Sequence, residues 1–266
     1  MAHKTQVGGT VYEIKGGRCL VNGTAYGVKK GRTMVSGTGY DIGFGTSYDP
    51  IFSNNDWSTI IQACQNNEVP DTWEVGNQKA MSINGTDYMI DIIGRKHDTY
   101  AVGGGKAPLT FQMHNCYSEA YVMNNESTNA GGWQSSTMRI STIPLFKSYL
   151  PQEVRNGIKS VVKNTPDGSK SSTLITTHDD IFLLSPTEAT ADDSWSYDAD
   201  VQYEYYAAGN SLEKHRGDTS TNPVRWWLRS PLAISNTKFM TISLTATLNN
   251  LTANTSSAYA AFAFCF

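Results

Sequence analysis

The stretch Arg225-Trp226-Trp227-Leu228-Arg229-Ser230-Pro231 decides the fold of this chain. Two adjacent indole rings are normally buried, and a guanidinium beside them needs a carboxylate or backbone carbonyls as partners. The next 31 residues, Leu232 to Phe262, differ in character, because 20 are Ala, Ser, Thr or Asn and none is Gly, Asp, Glu, Gln or Trp. This pattern indicates a rigid aromatic frame that presents small polar side chains, as a binding protein does.

The frame and the tail that follows it define a candidate binding site. We assign Trp226, Trp227 and Arg229 to its structural core. Alternating exposed positions of the tail are predicted to form the binding face, with Tyr259 and Phe262 as aromatic anchors. The predicted ligand-binding residues are Leu232, Ile234, Asn236, Thr241, Ser243, Thr245, Thr247, Asn249, Asn250, Thr252, Asn254, Ser256, Tyr259 and Phe262.

Residues 7–45 contain an internal repeat with a period of 14 residues, VGGTVYEIKGGRCL, VNGTAYGVKKGRTM and the truncated VSGTGYDIGFG. The glycine-containing dipeptides of the repeats are typical of tight turns. Turns this close together leave strands of about five residues, so we predict a small antiparallel β-meander. Short repeats bury little surface alone, and we expect residues 1–48 to pack on another subunit or another protein. The predicted turns are Gly8-Gly9, Asn22-Gly23 and Ser36-Gly37, and the equivalent tyrosines are Tyr12, Tyr26 and Tyr40.

The remainder of the chain reads as a mixture of helices and strands, which predicts an α+β fold. A helix is expected from Asp56 to about Asn67, and a hairpin over Ser82 to Tyr88. A second helix is expected from Pro151, with Val154, Ile158, Val161 and Val162 as its inner stripe. Ile181 to Leu184 is predicted to be a buried strand, and residues 239–266 are predicted to be strands joined by exposed loops.

Charge and hydropathy exclude several classes of protein. The net charge is −3 and no basic block stands out, which argues against nucleic acid as a partner. No run reaches the roughly 18 apolar residues of a membrane span, so we expect no membrane insertion. The Met-Ala-His-Lys start has no apolar segment, and we expect synthesis in the cytoplasm. The four cysteines form no CxxC pair, and we expect them to be buried thiols, with a disulfide between two of them as the alternative. They are Cys19, Cys64, Cys116 and Cys265.

The residue patterns that catalysis needs are weak. His97-Asp98 and His178-Asp179-Asp180 are the acid–base clusters, and both are interpreted as structural. The histidines have no metal-ligand spacing, and no nucleophile-elbow context surrounds a serine. We therefore expect no catalytic residue, no metal and no cofactor.

A series of motifs nevertheless resembles a known group of proteins. They look like an uncharacterised domain family common in phage and prophage tail proteins of gut bacteria. That family is similar to the C-type-lectin fold of formylglycine-generating enzymes and of the target proteins of diversity-generating retroelements. The resemblance rests on Trp73-Glu-Val-Gly76, Ile83-Asn-Gly85, Ile92-Ile-Gly94, His97-Asp98, Asn129-Ala-Gly-Gly-Trp133, Met138-Arg139, Asp180-Ile-Phe-Leu-Leu-Ser185, Tyr203-Glu-Tyr-Tyr206, Trp226-Trp-Leu-Arg-Ser-Pro231 and Ala263-Phe264.

The resemblance implies a C-type-lectin-like ligand-binding domain over residues 49–266, with a variable segment at 232–262. It also implies a virion protein of the phage tail that binds a host-surface protein or glycan as a homotrimer. Its N-terminal repeats would attach to other virion proteins. The family usually ends in Gly-Val-Arg/Ala-Pro-Ala-Phe, whereas this chain has Tyr259-Ala-Ala-Phe262-Ala-Phe.

The departure at the end of the chain matches what retroelement mutagenesis would produce. In retroelement targets adenines are randomised, so Asn codons change to many residues but never to Lys, Glu, Gln, Met or Trp. The tail contains only Lys238 and Met240 from that excluded set.

Two other hypotheses stay open. In the first, the chain is a structural virion protein whose tail packs against another subunit without direct receptor binding. In the second, it is an enzyme resembling the formylglycine-generating oxidases, which need a reactive cysteine site with copper. Cys265 has no cysteine partner nearby in the sequence, which disfavours the enzyme.

Overall fold

The computed structural model describes residues 48–266 in full and, within the first 47 residues, the backbone of six strands. The chain divides into two compact units, Met1–Asp49 and Pro50–Phe266. Antiparallel strands occur in both units and helices in the second, so the fold class is mixed α+β. No helix in the described part of the chain is long and apolar enough to cross a bilayer.

The described strands of the first unit pair as three antiparallel hairpins, one for each repeat. A continuous meander would also require β2 to pair with β3 and β4 with β5, whereas the described strands pair only across the glycine-containing dipeptide that starts each repeat, where a tight hairpin is favoured. The dipeptides Gly8-Gly9, Asn22-Gly23 and Ser36-Gly37 themselves lie outside the described residues. Tyr12, Tyr26 and Tyr40 occupy equivalent places, opposite Thr5, Cys19 and Thr33. The hairpins are β1 (His3–Val7) with β2 (Thr10–Ile14), β3 (Arg18–Val21) with β4 (Thr24–Gly27), and β5 (Gly31–Val35) with β6 (Thr38–Ile42).

Short helices and strands alternate along the second unit. Its helices are α1 (Trp57–Gln65), α2 (Ile143–Tyr149), α3 (Gln152–Gly157), α4 (Pro186–Thr190) and α5 (Glu204–Ala207), with a 3-10 turn at Phe52–Asn54 and a π-helical turn at Met138–Thr142. Its strands are β7 (Gln78–Ile83), β8 (Thr86–Arg95), β9 (Leu109–Met113), β10 (Val161–Gly168), β11 (Ser171–Asp179), β12 (Ile181–Phe182), β13 (Lys214–His215), β14 (Pro223–Val224), β15 (Trp226–Pro231), β16 (Lys238–Ile242), β17 (Leu248–Thr252) and β18 (Ala263–Cys265).

A five-stranded antiparallel sheet forms the centre of this unit, in the order β12-β18-β9-β8-β7. β18 lies inside the sheet, where Phe264 pairs with Phe111 on one side and with Ile181 on the other. Every residue of β9 and β18 is buried, as expected for strands covered on both faces. The last residues of the tail therefore belong to the core.

A second, three-stranded sheet carries the aromatic frame and the tail, in the order β15-β16-β17. β16 is central and mostly buried, whereas β17 is an edge strand without a fully buried residue. The ladder between β15 and β16 is interrupted between Trp227 and Pro231. Within that interruption the backbone N–H of Arg229 donates to the carbonyl of Leu184, 2.9 Å away. This link ties the second sheet to the segment that follows β12.

Three local predictions are confirmed. Helix α1 begins after Asp56, and its apolar stripe of Trp57, Ile60, Ile61 and Cys64 is buried. The predicted hairpin is β7–β8, closed by Asn84 and Gly85 with φ of 51° and 78°. Positive φ at both central residues is what a type I′ turn requires, and Asn-Gly favours it. The predicted core strand begins as β12, and Ile181 to Leu184 are all buried.

The helix predicted from Pro151 through Val162 is wrong in its second half. Helix α3 ends at Gly157, and Val161 begins strand β10 instead. β10 pairs with β11, with Val161 opposite Asp179 and Val162 opposite His178. Val161 and Val162 are β-branched, so they fit a strand at least as well as a helix, and pairing with β11 decides between the two.

Candidate functional site

The two tryptophans of β15 anchor the second sheet in the core. Trp226 and Trp227 are completely buried. The indole N–H of Trp226 donates to the carbonyl of Leu212 at 2.9 Å, and that of Trp227 donates to the carbonyl of Tyr121 at 2.7 Å. Since each buried ring has its polar atom satisfied, the pair fixes β15 without leaving an unpaired donor.

Arg229 is fully buried and uses its whole guanidinium group in hydrogen bonds. Nη1 donates to the carbonyl of Leu183 at 3.0 Å and to the carboxylate of Glu188, Nη2 donates to Asp200 at 2.5 Å, and Nε donates to Thr165 at 3.1 Å. Burial would lower the pKa of Arg229, but the charges of Glu188 and Asp200 outweigh it and raise that pKa. The guanidinium therefore joins β15 to α4 and to the 191–201 segment, hereafter the 191–201 loop.

A second cation, Lys163 of β10, is buried beside this arginine. Its Nζ donates to Asp98 at 2.5 Å, to Glu188 at 2.7 Å and to the hydroxyl of Tyr203 at 3.1 Å. Burial would raise the pKa of Asp98, but the charge of Lys163 and several hydrogen bonds hold it well below its usual range. Glu188 touches both cations, so Asp98, Lys163, Glu188 and Arg229 form one connected charge cluster.

Glu188 is placed by the start of helix α4. The Ser185 hydroxyl accepts from the backbone N–H of Glu188 at 3.1 Å, and the Glu188 carboxylate accepts from the backbone N–H of Ser185 at 2.9 Å. This reciprocal capping box follows from Ser-x-x-Glu at 185–188, and it was a readable sequence signal. The partner Lys163 had no such local signal.

Asp198, in the 191–201 loop, is held next to the charge cluster by a hydrogen bond from Ser230 at 2.8 Å. Burial raises the pKa of Asp198 to about 6, although the charge of Arg229 partly opposes the shift. Its ordinary value is about 3.9, so the folded state takes up a proton between about pH 4 and 6 that the unfolded state does not. This group's contribution to stability is therefore favourable below that window and is lost as the pH rises through it.

We expect Asp198→Asn to raise the free energy of unfolding more at pH 7.5 than at pH 4.5, because the amide cannot ionise. The increase at pH 7.5 should exceed the increase at pH 4.5 by about 1–3 kcal/mol. Urea unfolding at both pH values measures this difference. Asp180→Asn is the control of opposite sign. Burial would raise the pKa of Asp180, but hydrogen bonds from Lys147 and Ser160 lower it, so its removal should destabilise the fold most at neutral pH. A pH-independent effect of Asp198→Asn would contradict the assignment.

The structure divides the fourteen predicted ligand-binding positions into three groups. The exposed positions agree with a binding face, and three half-buried ones border it. Four others are buried. The exposed group is Ile234, Asn236, Thr245, Thr247, Asn249, Asn254 and Ser256; the half-buried group is Asn250, Thr252 and Tyr259; the buried group is Leu232, Thr241, Ser243 and Phe262.

The expectation of an exposed side chain is wrong for the four buried positions. Phe262 is fully buried and stacks on Phe146, with ring centroids 4.0 Å apart. Thr241 lies in the central strand β16, which has a neighbour on each side, and Leu232 is buried where the chain leaves β15. The hydroxyl of Ser243 is hydrogen-bonded within its own turn. The alternation of exposed and buried side chains that we predicted for the tail does not hold at these four positions, because the segments that carry them are covered on both faces.

The exposed positions lie at two opposite ends of β17. Ile234 and Asn236 precede β16, and Asn254 and Ser256 follow β17. These two loops meet, because the backbone N–H of Ala253 donates to the carbonyl of Thr237 at 2.8 Å. The turn at residues 243–247 lies at the other end of β17. Since this strand has five residues, its two ends are about 15 Å apart.

Two aromatic residues that the sequence analysis missed lie beside the first of these ends. Trp195 and Tyr197 of the 191–201 loop are 46% and 44% exposed, and Ile234 is 69% exposed. The backbone N–H of Ala233 donates to the carbonyl of Trp195 at 2.9 Å, which places Trp195 next to the loop that carries Ile234. We call Trp195, Tyr197, Ile234 and Asn236 the aromatic end, and Leu244 and Thr245 of the opposite turn the threonine end.

The loop of the aromatic end is held through its backbone. The side-chain amide of buried Asn129 donates to the carbonyls of Ser235 and Lys238, both at 2.9 Å. The backbone N–H of Asn129 donates to the carbonyl of Asn236, also at 2.9 Å. Because main-chain atoms accept these bonds, the exposed side chains of the loop contribute little to its conformation.

One aspartate of each acid–base cluster, Asp98 and Asp179, lies in a buried hydrogen-bond network. Asp98 belongs to the charge cluster, and Asp179 accepts from Trp133 at 3.1 Å and from Arg139 at 2.6 Å. Among the described residues, no group of three or more His, Cys, Asp or Glu side chains could hold a metal ion. Cys64, Cys116 and Cys265 are buried free thiols.

A family model described as a domain of unknown function, DUF6273, matches residues 108–260. No curated protein and no solved structure shows significant similarity to the chain. The matched region contains Lys163, Glu188, Arg229 and the whole aromatic end, while Asp98 and Phe262 lie outside it. Since the match spans more than half of the 266 residues, the chain belongs to the DUF6273 family.

Proposed function

We propose that residues 50–266 form a receptor-binding domain with a C-type-lectin-like fold, in a phage tail protein that attaches to a host-surface protein or glycan. The proposal combines the motif resemblance with the division between a buried frame and exposed loops. Trp226, Trp227 and Arg229 are completely buried, whereas Ile234 and Asn236, a few residues later, are exposed.

The observation that carries the proposal is how the exposed loop is held. Asn129 and Trp195 fix the loop at residues 232–238 through backbone atoms. Side chains on such a loop can change with little loss of folding free energy, which is what a diversified binding surface requires. Retroelement-driven variation of residues 232–262 is part of this proposal, and we now restrict it to the exposed and half-buried positions.

The aromatic end is the better candidate for the contact surface. Binding energy is concentrated in a few residues, and tryptophan and tyrosine are enriched among them. Trp195 and Tyr197 are large, partly exposed and next to the variable loop. In this proposal the N-terminal hairpins attach to other virion proteins, and the assembled particle carries the protein as a homotrimer.

We expect the triple variant Trp195→Ala, Tyr197→Ala, Ile234→Ala to bind host cells at least about tenfold more weakly, a loss of about 1.4 kcal/mol or more. The free energy of unfolding should change by about 2 kcal/mol or less in total, because Trp195 and Tyr197 are nearly half exposed and Ile234 is 69% exposed. Flow cytometry of labelled protein on a panel of gut bacterial cells measures the binding, and urea unfolding measures the stability.

The matched control is Leu244→Ala, which truncates an exposed apolar side chain at the threonine end, outside the predicted ligand-binding positions. This variant should bind as the wild type does. Equal losses in both variants would move the contact surface away from the aromatic end. Normal binding of the triple variant would contradict the proposed site. If the wild-type protein is present in particles but binds no cell, the structural virion role is favoured instead.

A further inference from the structure

Three ionisable side chains from distant parts of the chain meet in the core. Asp98 follows strand β8, Lys163 belongs to β10 and Glu188 to α4; their side chains are 3%, 2% and 1% exposed. Nζ of Lys163 lies 2.5 Å from Oδ1 of Asp98 and 2.7 Å from Oε1 of Glu188. The ring of Phe182 covers Nζ at 3.9 Å. An amine, a carboxyl group and a second carboxylate are thus held together with little access to water.

The surroundings of Asp98 suit it as an acceptor of a nucleophile. Its other oxygen, Oδ2, receives hydrogen bonds from the hydroxyls of Thr110 at 2.5 Å and Tyr203 at 2.9 Å. Two donors on one oxygen would stabilise the negative charge that develops there when an amine attacks the carboxyl carbon. Oδ1 faces Lys163 and is the oxygen free to leave. Glu188 is within reach to take a proton from Nζ.

We propose that Lys163 and Asp98 condense to an intramolecular isopeptide bond, with Glu188 as the proton-transfer group. A proton first passes from the ammonium to Oδ1 of Asp98, which gives a neutral amine and a neutral acid. The amine lone pair then attacks Cγ, and the Nζ–Cγ bond forms. A second proton leaves Nζ through Glu188 and reaches Oδ1, the Cγ–Oδ1 bond breaks, and Oδ1 departs as water. No oxidant or cofactor is consumed.

The desolvation cost of buried charges favours the product. Buried Asp98 and Glu188 and half-buried Asp200 form ion pairs with Lys163 and Arg229. Condensation removes one buried charge of each sign, and so removes the desolvation penalty of both. Positioning also helps, since groups held in reactive geometry behave as if at effective concentrations of about 10⁵ M or more.

Two features of the site affect the rate of the condensation and the release of the water molecule. The hydrogen bonds and charges around Asp98 and Lys163 favour the ion pair, so the reaction proceeds from a minor neutral form and is slower than folding. A cavity of about 490 Å³ is lined by Asp98, Lys163 and Glu188. It gives the released water a route out of the core. The inference does not depend on the proposed receptor-binding function.

Mass spectrometry of the purified wild-type chain, aged for several days and then denatured, tests the inference. The intact protein should be lighter by one water molecule than its sequence requires. A tryptic digest should contain residues 97–106 joined to residues 160–170, because trypsin does not cleave after a modified Lys163. Recovery of 97–106 and 160–163 as separate linear peptides would overturn the proposal. So would a water loss located within one linear peptide, as in an aspartyl succinimide.

The protein contains its own matched control. Lys147 and Asp180 also lie 2.5 Å apart, but their side chains are 29% and 39% exposed, so water stabilises both charges. Their peptides should be recovered unlinked. Lys163→Arg and Asp98→Ala should have no cross-link, and Glu188→Gln, which can still accept from the Ser185 N–H, should form it at least about tenfold more slowly. An unchanged rate in Glu188→Gln would remove Glu188 from the reaction.

Discussion

Replacement of Arg229 by Met is expected to lower the free energy of unfolding by about 3–5 kcal/mol, since it removes the cation paired with half-buried Asp200 and one of the two cations paired with buried Glu188. Glu188 and Asp200 both accept hydrogen bonds from this guanidinium, which is completely buried. Met has a similar length and is apolar, so the loss comes from the missing charge and hydrogen bonds more than from a cavity. Urea unfolding of wild type and variant gives the difference.

A double variant tests whether the unpaired carboxylates cause the loss of stability. Adding Asp200→Asn to Arg229→Met removes one of the stranded charges, and it should restore part of the stability. Arg216→Met is the control, because Arg216 is exposed and should cost about 1 kcal/mol or less. If Arg229→Met changed the stability no more than Arg216→Met, the guanidinium would not hold the frame.

Phe262→Ala is expected to destabilise the protein by about 3–5 kcal/mol, the usual range for removal of a buried phenylalanine ring. The ring is fully buried against Phe146 and lies 6.2 Å from Tyr121, centroid to centroid. Thermal or urea unfolding measures the loss. Any loss of host binding should follow the unfolded fraction and disappear under conditions where the variant is folded.

Leu244→Ala is the matched substitution at an exposed apolar position of the same tail. Leu244 is 50% exposed, so its truncation should change the free energy of unfolding by about 0.5 kcal/mol. A Phe262→Ala variant with normal stability and no binding would instead restore the aromatic-anchor role that the sequence predicted for this residue.

Local patterns predicted the elements whose stability is local. The apolar stripe of α1 and the Asn84-Gly85 turn each follow from a few neighbouring residues, and both are present. The pair Trp226-Trp227 indicated a buried frame because no other environment suits two adjacent indoles. The repeats likewise predicted hairpins with equivalent tyrosines.

Long-range pairing decided the elements that sequence reasoning misread. Val161 fits a helical stripe and a strand equally well, and only its pairing with Asp179 settles the choice. Phe262 was predicted to be an exposed anchor from the alternation assumed for the tail, yet the chain is buried there. No local pattern reports such burial.

The charge cluster and the aromatic end are also products of tertiary structure. Asp98 and Lys163 are 65 positions apart, and no spacing rule connects them. Trp195 lies in a polar stretch far from the tail, and its backbone contact with Ala233 depends on the folded 191–201 loop. Near these features the readable signals were the Ser185–Glu188 capping box and the Trp226–Arg229 stretch that supplies one cation of the charge cluster.

The central position of β18 affects how a cell makes this protein. β9 leaves the ribosome long before β18, its permanent neighbour, has been translated. Until then the nascent chain presents a hydrophobic strand with one open edge, a template for association with other chains. A holdase chaperone that covers β9 during synthesis should therefore raise the yield of native protein.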